Sequence, residues 1–512
     1  MVRRSLVALV ALIAISIPGL RTADVLQHHL NPTRDGLYID PLITQASATT
    51  THRDLSFVAP LNGPTYVQPL YVTDGPGGAA TLIVVTERDD VVAIDAADGS
   101  QLWARNVGTP VPLSMLPCGN INPLGITGTP AIDIDSRTIY LDAMTTPDGG
   151  TTKQHLIFAL SLDDGSTVPG WPVDLNTLEF GTHTFNSTVQ SQRGAPVLSN
   201  GFLYVPYGGF FGDCGGYRGW VVAVPVSNPN GATAWATDAI GGGIWAPGGL
   251  ATDGTFIFAA TGNTIGASAW MGGEAIIRLG PGATFSGDPQ DYFAPSNWRN
   301  LDAADLDMGG SGPILLDVPG ATPSQLVVAL GKNSVAYLLD RNNLGGIGTG
   351  DGTSGEGLFS KRVSTGIIKN AGAAYTTASG TYVVFSTGGT GLGCPGTPGN
   401  LVALRIGASS PPDISVAWCA ANNGAGSPIV TTTDGSSEPV VWTIGAESTN
   451  RLYAYNGETG EALFNGGGPD EQMTLVRRLS TPIAVNGRIF VAADNQLYAF
   501  TTQASQNART RR

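Results

Sequence analysis

The groups in this sequence whose chemistry could matter are acids two residues apart, a lysine on a tight turn and a few isolated polar or aromatic side chains. Asp305 and Asp307 stand with Asp302 in a spacing that resembles part of a calcium loop, but the closing Glu of such a loop is missing. Such carboxylates can accept a proton as general bases or bind a hard cation. Lys332 sits in Gly-Lys-Asn, Asn263 follows Gly262, Trp245 follows Ile244, and Asp213 precedes Cys214. Each also has a plain structural role. Trp245 would pack in the core, Asn263 would take a left-handed turn, the aspartates would solvate the entry to the strand GPILLD, and Lys332 would be a turn charge.

Other chemical signatures fail on context. GLGCPG, residues 391–396, matches a dinucleotide-type glycine pattern but leads into Pro395, Pro398 and a strand, not a helix. No GxSxG or HExxH is present. His28, His29, His52, His155 and His183 form no zinc signature, and surface or turn positions are expected for them. Asn186-Ser187-Thr188 is a glycosylation sequon, meaningful only in a eukaryotic source. Cys118, Cys214, Cys394 and Cys419 form no Cys-x-x-Cys-His, so this chain has no covalent c-type haem.

The elements that must position these groups are short strands. The chain has 512 residues with 70 glycines, 34 prolines and 42% hydrophobic residues, a composition of strands joined by tight turns. The net charge of −14 argues against nucleic acid, because neutralising phosphates needs a Lys/Arg surplus on one face. Arg3 and Arg4 precede an apolar run from Leu6 to Leu20, the pattern of a signal peptide cleaved near Ala23. The run is too short to span a bilayer and no second one follows, so no integral membrane segment is expected after cleavage. A periplasmic or secreted location is expected, and an even cysteine count there reads as two disulfides.

Self-similarity decides the fold. VVAIDAADGSQLW ending at Trp103, LIFALSLDDGSTVPGW at Trp171, WVVAVPVSNPNGATAW at Trp235 and LYAYNGETGEALF at Phe464 are each a strand, a glycine turn and a strand ending in an aromatic. A second strand pair lies upstream of each, giving four strands per unit. Seven units open near Tyr66, Thr127, Gly194, Ile244, Gly312, Ala373 and Ser427. An eighth has only three strands at the carboxyl end, and DLSFVAPL, residues 54–61, is free to supply its outer strand and remove the sheet edge. The expected fold is all-β, an eight-bladed β-propeller of four-stranded antiparallel blades, with seven blades as the fallback. The expected organisation is a signal peptide over 1–23, an extended segment over 24–53, one propeller domain over 54–502 and a tail over 503–512. Trp103, Trp171, Trp235 and Trp418 are expected to wedge between blades.

The connections from second to third strand, and from blade to blade, emerge on one face. The long loops 207–219, 261–273, 386–399 and 112–125 all fall there, with all four cysteines. Three pairings are open. Loop placement favours Cys118 with Cys214 and Cys394 with Cys419.

The repeat AIDAADGSQLW, with the stretch GGGIWAPGGLATDGTFIFAATGN, then ADLD, then GKNSVAYLLDRNN, resembles the pyrroloquinoline quinone (PQQ) dependent alcohol dehydrogenase family. The resemblance implies a quinone lying on Trp245, contacted by Lys332. It implies a metal, Ca²⁺ or a lanthanide, held by Asn263, Asp213 and Asp307, and Asp305 as the general base. Such an enzyme would oxidise an alcohol, sugar or polyol and pass electrons to a separate acceptor. The sequence departs from the family in three places. Cys118 is followed by Gly119 where the family has an adjacent cysteine pair over the quinone. The arginine that follows that pair is absent, and LDAA precedes Asp305 in place of a His-Asp pair and Trp. The same repeat occurs in non-enzymatic outer-membrane assembly lipoproteins, so the alternative is a non-catalytic propeller binding a protein, glycan or envelope component through its looped face.

Overall fold

A computed structural model describes residues 23–502. The expected signal peptide over 1–23, apart from Ala23, and the expected tail over 503–512 lie outside them. Among the described residues no helix is long and apolar enough to cross a membrane.

Runs such as Thr81–Val85 and Val335–Asp340 are rich in β-branched and aliphatic residues and are almost wholly buried, because each blade is covered on both faces by its neighbours. Eight antiparallel blades result, spanning 70–106, 131–174, 197–236, 251–294, 314–362, 373–420, 429–465 and 483–501. Residues near the amino terminus complete the last one. His52–Arg53 and Ala59–Pro60 both pair with Gln496–Thr501, so the ring closes with strands from both ends. Pairing therefore starts slightly earlier than the sequence suggested and is interrupted by a turn in which Phe57 N donates to Asp54 O. Arg488 holds that turn through the Asp54 carboxylate at 3.0 Å.

The blade tryptophans explain the glycine of the repeated turn. Trp103 Nε1 donates to Leu162 O of the next blade at 3.0 Å, and Trp418 Nε1 donates to Gly457 O of the next at 2.6 Å. Each indole lies against the following blade's turn glycine, where a Cβ on Gly165 or Gly460 would come within 2.8 or 2.6 Å of the ring. Both glycines also have positive φ, 70° and 74°, so sterics and backbone conformation agree. Trp171 and Trp235 are buried in equivalent inter-blade clusters.

The segment 24–40 runs through the centre of the ring and touches every blade. Val25 pairs with Tyr71, and Leu26, Pro32, Thr33 and Asp35 accept main-chain bonds from Ile132, Thr252, Leu315 and Ala374. Leu37–Ile39 runs parallel to Ile429–Thr432, and Asp40 accepts from Gly487 N at 2.6 Å. Arg34 completes the circuit from full burial, donating to the carbonyls of His28, Pro196 and Leu250 at 2.6 to 2.7 Å. Inner strands leave main-chain groups facing the axis, and these bonds satisfy them without water. The expected surface or turn placement fails for three histidines, two of them because they lie in this segment. His28 and His29 stack at 4.4 Å inside the channel. His155 is buried between Asp142 and the Gln190 carbonyl.

Candidate functional site

The segments leading into the inner strands of seven blades line a cavity of about 320 Å³ on the looped face. Trp245 and Pro247 lead into the fourth blade, Asp305 and Asp307 into the fifth, and His28 of the axial segment reaches the same space. That volume suits one compact aromatic ligand.

One wall is a knot of opposite charges. The helix Trp298–Ala304 ends at Asp305, which adopts a left-handed conformation with φ 52°. Lys332, on the turn between Gln325–Leu330 and Val335–Asp340, places Nζ 2.6 Å from Asp305 Oδ1 and 3.1 Å from Asp307 Oδ2. Trp245 Nε1 donates to the same Asp307 oxygen at 2.9 Å, and Nζ lies 5.6 Å from the indole centre. In the orientation that matches donors to acceptors, the Asn263 amide donates to Asp307 Oδ1 at 2.8 Å and to Glu274 at 3.3 Å. The structure thus brings together five of the residues singled out in the sequence. Asp305 is 63% exposed, but Lys332 is only 11% and Asp307 6% exposed, so the simple turn-charge and solvating roles do not describe them.

Burial raises the Asp307 pKa to about 6, while the Lys332 ammonium pulls it down. Burial works against the charge on Lys332, yet Asp307 and Asp305 hold its pKa above the ordinary value. Glu274, which the sequence reading passed over, is fully buried behind Asn263, accepting from Met308 N at 2.6 Å. Its carboxyl is pushed well up by burial and then by Asp307. Its only sequence mark is an acid heading the apolar strand Ile276–Leu279.

Asp213 lines the same cavity but bonds the Tyr217 hydroxyl at 2.5 Å instead of joining the knot. Among the described residues no three His, Cys, Asp or Glu side chains gather into a metal-binding group.

The remaining wall is cationic and was invisible in the sequence. Arg193, Lys369 and Arg478 line it, and Arg478 pairs with Glu447 at 2.9 Å. Among the described residues no hydrogen bond or ion pair engages the side chains of Arg193 or Lys369, which line the cavity. Burial lowers both pKa values, and Lys369 is lowered further by its neighbours Arg478 and Lys332. Phe210, Phe211, Ile121 and Tyr66 complete an apolar surround. Isolated cations in separate blades share no spacing, so only closure of the ring assembles them.

The cysteines pair as loop placement favoured. Cys118–Cys214 ties the loop carrying Asn120 and Ile121 to the loop carrying residues 210–213 at the cavity rim, and Cys394–Cys419 closes within the sixth blade.

No protein-family profile matches the chain. No curated protein matches it either. Solved structures do. The quinohemoprotein alcohol dehydrogenase from Comamonas testosteroni aligns with 15% identity and a TM-score of 0.64 over 93% of this chain and 80% of that one. A europium-containing methanol dehydrogenase aligns with 13% identity and a TM-score of 0.63 over 93% and 98%. BamB from Moraxella catarrhalis aligns with 13% identity and a TM-score of 0.50 over 88% and 98%. The chain therefore carries the eight-bladed propeller fold seen in quinoprotein alcohol and methanol dehydrogenases.

Proposed function

We propose that this protein is a quinoprotein-like oxidoreductase that oxidises an alcohol, sugar or polyol with bound PQQ and passes electrons to a separate acceptor. The observation that carries the reading is the division of one cavity into an indole with a Lys–Asp–Asp knot and a facing cationic wall of Arg193, Lys369 and Arg478. A planar quinone bearing carboxylates suits both halves. Its ring would face Trp245, Lys332 would contact its oxygens, and Arg193 and Lys369 would take the carboxylate charge that the missing family arginine takes elsewhere. When bound, the quinone supplies the hydride acceptor.

The chain's own part is proton handling and orientation. Asp305 is accessible to a substrate hydroxyl and would take its proton as the alcohol is oxidised. Lys332 holds the Asp305 carboxylate in place and keeps Asp307 charged despite burial. A Ca²⁺ or lanthanide ion would draw on oxygens of Asn263, Asp305 and Asp307, in competition with the Lys332 ammonium, with Asp213 a further candidate on the same cavity. The two disulfides and the amino-terminal Arg3–Arg4 and apolar pattern support a periplasmic or secreted setting.

Calorimetric titration with PQQ, with Ca²⁺ or a lanthanide present, tests the reading together with dye-linked alcohol oxidation. Stoichiometric binding and turnover are expected, and absence of quinone binding under either metal overturns it. The second reading, a non-catalytic propeller that binds a protein, glycan or envelope component, draws on Phe211, Ile265 and Met271, large apolar side chains exposed on the looped face. It predicts that Asp305→Asn is silent while truncation of the 261–273 loop abolishes function.

A further inference from the structure

The turn joining Thr81–Val85 to Asp90–Asp95 in the first blade holds two carboxylates with nothing to balance them. Glu87 and Asp89 are both completely buried. Glu87 Oε2 accepts from Gly125 N at 2.8 Å and from the Thr127 hydroxyl at 3.2 Å. Its other oxygen, and both oxygens of Asp89, have no hydrogen-bond partner. Both acids lie against Gly125: its N donates to Glu87 Oε2, and a Cβ there would come within 2.5 Å of Asp89 Oδ1 and 2.6 Å of the Glu87 carbonyl oxygen.

Neighbouring groups do not resolve the deficit. Asp142, which acts on Asp89 together with Glu87 and Asp90, is already committed to His155 at 2.7 Å and to the Tyr207 hydroxyl at 2.8 Å. Arg193 and Arg477 act on Glu87 only through space, and Arg477 spends its donors on Asp494 at 2.9 and 2.6 Å. Leaving three buried carboxylate oxygens unpaired is costly, because each has lost its water without gaining a partner. Protonation of Asp89 would remove its charge but would leave its other oxygen without a donor. A single cation bound between the two acids would pair oxygens of both.

The repeat supplies independent support. The turn in the fifth blade has the same backbone: Gly331 N donates to Val335 O at 3.1 Å as Thr86 N does to Asp90 O at 3.0 Å. The fourth turn residue is left-handed in both, with φ 68° at Ser334 and 61° at Asp89. Lys332 is the second residue of its turn and neutralises buried acid there, and Glu87 holds the same place in the first blade. We propose that Glu87 and Asp89 form a binding site for a hard, oxygen-seeking cation of the calcium class, which stands where the fifth blade carries its lysine ammonium. Its position behind Thr127 puts the ion within the wall of the cavity, apart from the Lys332 knot.

Titration of the chelator-treated full-length protein with calcium chloride, followed by calorimetry, tests this. A site is expected that persists in Asp307→Asn and loses at least tenfold in affinity in both Asp89→Asn and Glu87→Gln. Asp307→Asn, which removes the knot's own cation ligand, should still melt at a higher temperature in excess calcium than in EDTA, which tests the first-blade site even if Asp89→Asn does not fold. The proposal is overturned if calcium neither binds nor shifts the wild-type melt, if both first-blade variants bind it unchanged, or if binding disappears only in Asp307→Asn.

Discussion

The turns at Thr86–Asp90 and Gly331–Val335 share a backbone and oppose each other in charge. In the fifth blade the second turn residue is Lys332, and it ties Asp305 and Asp307 together beside an indole. In the first blade it is Glu87, and it leaves a buried acid pair without a protein cation in contact. The difference teaches that the repeat dictates where a side chain enters the ring and leaves its chemistry open.

The largest expected effect is on turnover. Asp305→Asn should lower dye-linked oxidation by roughly 10²- to 10⁴-fold, the usual loss for a general base, with an unchanged melt because the side chain is largely exposed. Unchanged turnover would remove the fifth-blade turn from the chemistry. Lys332→Met should destabilise the fold by about 3–5 kcal/mol in denaturant melts, since it strands the buried Asp307 carboxylate. The double variant Lys332→Met/Asp307→Leu should recover much of that loss.

A third way to manage buried charge is to give it up, as the axial histidines do. Burial lowers the His29 pKa from 6.5 to about 4, and lowers that of His28 well below its ordinary value. A depressed folded pKa means the unfolded chain binds more protons below pH 6.5, so stability present at neutral pH is lost as pH falls toward 4. For His29 this is about 3 kcal/mol, and His29→Gln should flatten that part of the stability profile. A profile flat from pH 7 to 4 in the wild type would contradict the buried axial segment. The smallest effect sharpens the comparison most. In an Asp307→Asn background, Glu87→Lys should place an ammonium near Asp89, raise the melting temperature in EDTA by a few degrees and abolish the remaining response to calcium. A persistent calcium response would show that the two turns are not interchangeable.

Much of the fold was legible because blade repeats are local. The glycine turn before Trp103 or Phe464, and the missing strand of the last unit, are visible in short stretches of sequence. The knot was partly legible because Trp245, Asn263, Asp305 and Lys332 keep family order along adjacent blades. Glu274, Arg193 and Lys369 were not, because a lone charge in a glycine-rich lead-in has no periodic signature until neighbouring blades face it. The axial path of 24–40 was equally hidden. Its bonds go to main-chain groups of all eight blades, and main-chain groups carry no sequence identity.

The sequence by itself determined the strand units and the closure of the ring and favoured eight blades over seven, since these rest on alternation, turn residues and recurrence. It also nominated the acids at 305 and 307 and the lysine at 332. Only the tertiary structure decided which charges are buried, which are paired and which are left alone. Burial and pairing depend on distances between blades far apart in the chain, so the same turn yields a neutralised knot at Lys332 and an unbalanced acid pair at Glu87.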